Sequence, residues 1–215
     1  FMERMESFYG IPDTGDKTAV IEMAACAGLP LAEGRENPEL TSTYGVGELI
    51  ADALEQGCRN IIIGLGGSST NDGGCGMAAA LGAKFYGEDG EAFLPVGGTL
   101  KNIKRIDISG LDRRLKQTCI TAMCDIDNPL YGANGAAFIF GPQKGADPAM
   151  VNRLDAGLRC LSRQILTDLG TDVSELPGAG AAGGMGGGAA AFLHARLCPG
   201  IEVVLETVRF EERIE

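Results

Sequence analysis

The chain has a single histidine among its 215 residues, and its seven cysteines never form a C-x-x-C pair. One histidine, His194, excludes a histidine-rich metal site. The odd, unpaired cysteine count argues against both a zinc site and a disulfide framework, and fits free thiols in a reducing cytosol. Basic clusters are also missing. Lys and Arg number 18 against 29 Asp and Glu, for a net charge of -11. Nucleic acid and anionic membranes are therefore poor partners, since both select positive patches. No apolar run approaches the roughly 20 residues that cross a bilayer, and no secretory leader pattern heads the chain. G-x-x-x-x-G-K-[ST] does not occur, which disfavours a P-loop nucleotide site. In so acidic a chain, an anionic ligand would meet local backbone dipoles or arrive with a divalent cation.

What the chain does have is glycine, gathered in two stretches. The first, Ile61–Gly74, opens with β-branched residues suited to a strand buried on both faces. It then breaks into glycines, hydroxyls, one amide and one carboxylate. Glycine lets backbone N–H groups come close to a ligand. The Met77–Leu81 segment reads as a helix, so the loop would lie at a helix N-terminus, where an anion is favoured. A ligand-free strand-to-helix connection is the alternative.

Along the chain, Thr18–Ala24 reads as a strand after a turn at Pro12–Asp16. Polar residues 35–43 connect it to a helix whose apolar residues fall at Val46, Leu49, Ile50, Ala53 and Leu54, with Gly57 as its C′ residue. Ala83–Tyr86 and Glu91–Leu94 flank Gly87–Gly90 as a hairpin. Strands are expected near Ile103–Ile106, at Thr118–Cys124, at Ala136–Phe140 and at Ile201–Leu205. Asp147 as N-cap and Pro148 at N1 open a long helix that Gly170 stops. The second glycine-rich stretch, Pro177–Gly188, opens a helix through Leu193, ended by Pro199-Gly200, with His194 structural. The expected architecture is one α/β unit with a mixed or mostly parallel sheet flanked by helices.

Ligands in open α/β sheets gather at the carboxyl ends of strands. Ser68–Asp72, Asp125–Asn128 and Gln143–Lys144 would converge there in a parallel arrangement. Asp125 and Asp127 could reach one ion only through a turn at Asn128-Pro129; magnesium chemistry and a simple Asx turn both fit. Asp72 could bind a metal, take a hydroxyl proton, or cap the following helix. Lys144, in a glycine-flanked polar loop, could meet a phosphate or only water. Gly178–Gly183 matches G-x-G-x-x-G, but no clear strand precedes it, so a dinucleotide-binding oxidoreductase is only an alternative reading.

These residues, taken together, closely resemble the bacterial two-domain glycerate kinase family. The motifs are Ala19-Val-Ile-Glu-Met-Ala24, Thr43-Tyr-Gly-Val-Gly-Glu-Leu49 and Gly64-Leu-Gly-Gly-Ser-Ser-Thr-Asn-Asp-Gly-Gly74. They continue with Cys124-Asp-Ile-Asp-Asn-Pro-Leu130, Phe140-Gly-Pro-Gln-Lys-Gly-Ala146 and Pro177-Gly-Ala-Gly-Ala-Ala-Gly-Gly184. Ser69 and Cys75 stand where the family usually has alanine, and Ala133 where it commonly has proline.

The resemblance implies that residues 1–215 are the central α/β domain of such an enzyme, akin to the restriction-endonuclease fold without its nuclease motif. The family's flavodoxin-like partner domain, built from flanking segments, is absent. The implied activity is ATP-dependent phosphorylation of D-glycerate in the cytoplasm, giving 2-phosphoglycerate, with ATP and Mg2+ at an interdomain site. A homodimer, and a folded fragment inactive by itself, are both compatible with it. Site expectations are Gly66, Gly67, Ser68, Ser69, Thr70, Asn71, Asn128 and Lys144 for substrate or phosphate. Asp125 is expected to meet the metal, and Asp72 is the catalytic candidate.

Overall fold

The computed structural model describes residues 1–13 and 17–207. The chain runs β1 (Thr18–Glu22), α1 (Ala24–Ala27), α2 (Tyr44–Glu55), β2 (Asn60–Gly64), α3 (Cys75–Ala80), β3 (Lys84–Tyr86), β4 (Ala92–Phe93) and β5 (Arg105–Asp107). It continues with β6 (Cys119–Met123), α4 (Ala136–Phe140), α5 (Pro148–Leu169), α6 (Ala181–Leu193), β7 (Arg196–Cys198) and α7 (Gly200–Thr207).

The main sheet has the order β1-β2-β6-β7, and every pairing in it is parallel. Ile21, Ile61, Ile63, Ile120 and Ala122 alternate onto its buried face, as strand periodicity requires. Parallel strands need crossovers, and α2, α3 and α6 supply the layer against that face. On α2 the buried residues Val46, Ile50, Ala53 and Leu54 follow helical spacing. At Gly47 the two helices nearly touch: a Cβ there would lie 2.4 Å from the Met77 carbonyl oxygen of α3. The smaller sheet, β4-β3-β5, is antiparallel. It is tied to α6 by an edge-on contact between Phe85 and Phe192, 5.8 Å between ring centres. Helix α5 begins as expected, with Asp147 accepting the Met150 N–H at 2.7 Å, and ends on Gly170 in the left-handed region.

The strand register aligns the carboxyl edge of the main sheet. Glu22, Gly64 and Met123 stand side by side on β1, β2 and β6. The loops leaving these strands therefore start from one level.

Two expected strands are helices. Ala136–Phe140 forms α4: Ala136 and Ala137 are buried while Phe138 and Ile139 are exposed. Adjacent residues thus share a face, as a helix allows and an alternating strand does not. Periodicity cannot separate the two in so short an apolar run. Ile201–Leu205 lies in α7, where only Val203 is buried. Pro199-Gly200 opens this helix rather than closing α6, with Val203 N–H on the Pro199 carbonyl. Helix α6 instead ends at Leu193, with His194 at φ 53° as its left-handed cap. The last strand is Arg196–Cys198, beside β6. The expected turn at Pro12–Asp16 falls partly outside the described residues, and Glu211–Glu215, which reads as helical in sequence, falls wholly outside them.

Candidate active site

The loop after β2 is pinned to the segment after β1. Leu29 N–H donates to the Gly67 carbonyl (2.8 Å), and Ser69 N–H donates to the Ala27 carbonyl (2.9 Å). Residues 65–68 form a turn, and the N–H groups of Gly66 and Gly67 within it find no acceptor among the described residues. They border a cavity of about 250 Å³ at the carboxyl edge of the sheet. Leu65 to Ser68, Met123 to Ile126, Phe140, Gln143, Lys144, Ala181 and Ala182 line it, so four separate segments meet there. A Cβ on Gly66 would touch nothing within 4 Å, and Gly67 sits at φ +67°. The loop is an open lip of donors.

Lys144 is brought in from the other side by a 3-10 turn, Pro142–Lys144, that follows α4 and ends on Gly145 at φ +88°. Lys144 is 2 % exposed. Nζ donates to Ser68 Oγ at 2.8 Å and to the Thr70 carbonyl at 2.6 Å. Burial strips water from the ammonium and pushes its pKa down to about 7, against a smaller upward pull from Asp72. A lysine near neutrality can hold or release a proton, as an ordinary surface lysine cannot.

Asp125 leaves β6 and lines the cavity, with Oδ1 accepting the Gly200 N–H at the start of α7 (2.7 Å). Its second oxygen is the one carboxylate oxygen this wall offers. Asp127 does not line the cavity, and the described residues contain no cluster of three metal-binding side chains. Magnesium bound mainly to phosphate oxygens needs only one or two protein carboxylates, and the site fits that mode alone. Beside it, the Cys124 thiol donates to the Ile126 carbonyl (3.2 Å), and burial raises its pKa.

Of the residues expected at the site, Gly66, Gly67, Ser68, Asp125 and Lys144 converge on the cavity. The others do not, for visible reasons. Ser69 turns away, its hydroxyl on the Ala27 carbonyl at 3.0 Å. Thr70 reaches back toward the Ala182 carbonyl. Asn71 is fully buried, with neither amide atom partnered among the described residues. Asn128 donates to the Asn134 carbonyl at 2.8 Å, away from the cavity.

Asp72 is the main correction. It is fully buried, and its carboxylate accepts from Thr43 N–H (2.8 Å), Thr43 Oγ1 (2.9 Å), Gly74 N–H (3.1 Å), Gly76 N–H (3.2 Å) and Ser42 Oγ (3.4 Å). Burial raises its pKa, and the Thr43, Gly74 and Gly76 donors pull it back. This carboxylate ties the loop to the starts of α2 and α3 and has no exposed surface toward the cavity. Its partner Thr43 is missed by sequence reasoning about the site, although a threonine just before a helical pattern is a recognisable cap signal. Ala181 and Ala182 are missed too, because small apolar residues carry no chemical signal.

The G-x-G-x-x-G match folds without a preceding strand. A Cβ at Gly180 would lie 2.4 Å from the Pro129 carbonyl oxygen, and one at Gly183 2.0 Å from that of Thr70. Chain, not cofactor, fills the space beside these glycines.

Fold and site together define an α/β domain with a small cavity, edged by backbone amides and a buried lysine, at the carboxyl edge of a parallel sheet. The sequence model of the glycerate kinase family matches residues 1–215, and the chain belongs to that family. It is 48% identical over 215 residues to a glycerate kinase of Halalkalibacterium halodurans, and 51% identical over 213 residues to a glycerate 2-kinase of Escherichia coli. Each match covers 99% of this chain and 56% of the relative, so the chain spans little more than half the length of these proteins. A crystal structure described as putative glycerate kinase 2 from Salmonella typhimurium superposes with a TM-score of 0.94 at 46% identity, covering 98% of this chain and 56% of that one.

Proposed function

We propose that this chain forms one wall of an active site for ATP-dependent phosphorylation of D-glycerate, with 2-phosphoglycerate as product. The observation that carries the reading is the cavity edged by two unpaired amides and one buried lysine, in a chain of this family. Phosphoryl transfer needs mainly positioning and charge stabilisation, and amides aimed at a developing anion supply both without reorganisation. The volume sets the division of labour. At about 250 Å³ the cavity holds a phosphoryl group or a three-carbon acid, whereas whole-ligand pockets run from roughly 300 to 1,000 Å³. The nucleoside therefore lies outside it, against the remaining part of the longer protein.

In this reading the Gly66 and Gly67 amides take an anionic oxygen and Lys144 faces the same anion. Magnesium would be held by the free oxygen of Asp125 and by phosphate, and would supply charge neutralisation. Asp72 serves as scaffold. The partner domain completes the site, and residues 1–215 alone bind ligand weakly and do not turn it over. The test is an ATP-dependent assay of the intact gene product with D-glycerate, resolving 2- from 3-phosphoglycerate by NMR. Turnover that survives both Gly66→Val and Lys144→Met would show that the cavity is not the site.

A further inference from the structure

A kinase that phosphorylates a hydroxyl must find somewhere to put that hydroxyl's proton. On this wall of the cavity the candidates are few. Asp72 is sealed off by five hydrogen bonds. The Cys124 thiol is raised by burial and already donates to the Ile126 carbonyl. Asp125 has one oxygen committed to Gly200 N–H, and its other oxygen is the one assigned above to magnesium. That leaves the pair formed by Ser68 and Lys144, 2.8 Å apart, both buried and both lining the cavity.

The pair has the arrangement of an activated hydroxyl. A hydroxyl lies within hydrogen-bond reach of a base, and a third group, here the Thr70 carbonyl at 2.6 Å, orients the base. Resting on the kinase reading above, we propose that Lys144 is the proton acceptor of the transfer, drawing the substrate's hydroxyl proton through Ser68. The substrate oxygen bonds to the terminal phosphorus as the bond from that phosphorus to the nucleotide's bridging oxygen breaks. The nucleoside diphosphate leaves with the electron pair. The substrate's proton passes to Ser68 Oγ while the Ser68 proton passes to the lone pair of neutral Lys144 Nζ, reversing the resting hydrogen bond in which Nζ donates to Oγ, and Nζ becomes an ammonium. After product leaves, the ammonium returns its proton to water.

The surroundings favour a lysine that starts neutral. Ala181 and Ala182 from α6 and the amide of Gln143 bring no charge. Asp72 lies beneath the loop, Asp125 and Cys124 line the cavity, and Glu36 backs Gly145. Desolvation outweighs the attraction of Asp72 and brings the amine to about 7. The wall thus gains its positive charge as the phosphorylated product appears.

The test is the pH profile of kcat for the intact gene product, with two replacements at position 144. Wild type is expected to gain activity through an acid limb near the Lys144 pKa of about 7. Lys144→Arg keeps a cation but cannot act as base, and should lower kcat by roughly 100-fold or more while inorganic phosphate still binds. γ-Thialysine installed at position 144, an amine of lower basicity, should restore turnover and move the acid limb to lower pH. An active Lys144→Arg enzyme or a limb unmoved by thialysine would each overturn the proton-acceptor role. Wild type without ATP-dependent glycerate phosphorylation would instead overturn the kinase reading, and this inference with it.

Discussion

The two glycine-rich stretches look alike in composition and do opposite things. In Gly64–Gly74 the outer half is open: a Cβ on Gly66 would meet nothing, one on Gly67 only the Ala24 side chain at 3.4 Å, and both amides stay unpaired among the described residues. In Pro177–Gly188 the glycines exist because other backbone lies against them. A Cβ at Gly186 would lie 2.2 Å from the Gly178 carbonyl oxygen, and one at Gly188 2.2 Å from that of Gly73. The inner half of the first stretch, Ser69–Gly74, is the surface that the second packs against. Gly73 N–H donates to the Gly183 carbonyl at 3.1 Å. Glycine content alone therefore does not mark a ligand site; what matters is whether solvent or chain occupies the space that a Cβ would take.

The contrast between packed and open backbone is most vulnerable at its deepest point. Asp72→Ala should destabilise the chain by about 3 kcal/mol or more, because each buried N–H left without an acceptor costs roughly 1–3 kcal/mol and Thr43, Gly74 and Gly76 all lose one. Urea unfolding measures it. A stable Asp72→Ala protein that had lost only turnover would return this carboxylate to catalysis.

Gly183→Ala should come next, at roughly 2–4 kcal/mol, since left-handed strain adds to overpacking against Thr70. The same denaturation series reads it, and a neutral result would mean that the second stretch is not a packing seam.

Lys144→Met probes the edge between the two environments through pH. In the folded chain the lysine pKa falls from 10.5 to about 7. Between those values the unfolded chain binds more protons, so this group's contribution to stability is full above 10.5 and is lost as pH falls toward 7. The stability of wild type relative to Lys144→Met should therefore rise with pH across that window, by at most about 1.4 kcal/mol per pH unit. A difference independent of pH would mean that the amine is not desolvated.

Gly66→Ala should have the smallest effect on stability, within about 0.5 kcal/mol as for open surface positions, because its Cβ meets nothing. It should still weaken inorganic phosphate binding, read by calorimetry. A large loss of stability with unchanged binding would reverse the roles assigned to the two stretches.

Much of the fold is legible in the order of residues. The strands at Thr18, Ile61 and Thr118 and the helices at Val46 and Asp147 follow from period and caps, which are local properties of adjacent residues. Ser68 and Lys144 are also legible as polar residues in loops near strand ends, although nothing in the sequence pairs residues 76 apart. Misreadings cluster where local signals are balanced. Ala136–Phe140 and Ile201–Leu205 are five-residue apolar runs, and packing against neighbouring elements makes them α4 and part of α7.

The α/β class, the family and the loops that carry polar chemistry are thus written along the chain, because periodicity, capping and motif order are all properties of neighbouring residues. Which of those polar groups reach ligand is a tertiary matter. The packed chain buries Asp72 among donors from α2 and α3, and turns Ser69 and Asn128 away from the cavity. It leaves the Gly66 and Gly67 amides free beside Lys144. Burial and partnership depend on what stands opposite each residue. Strand order and helix packing set that, and no stretch of sequence contains it.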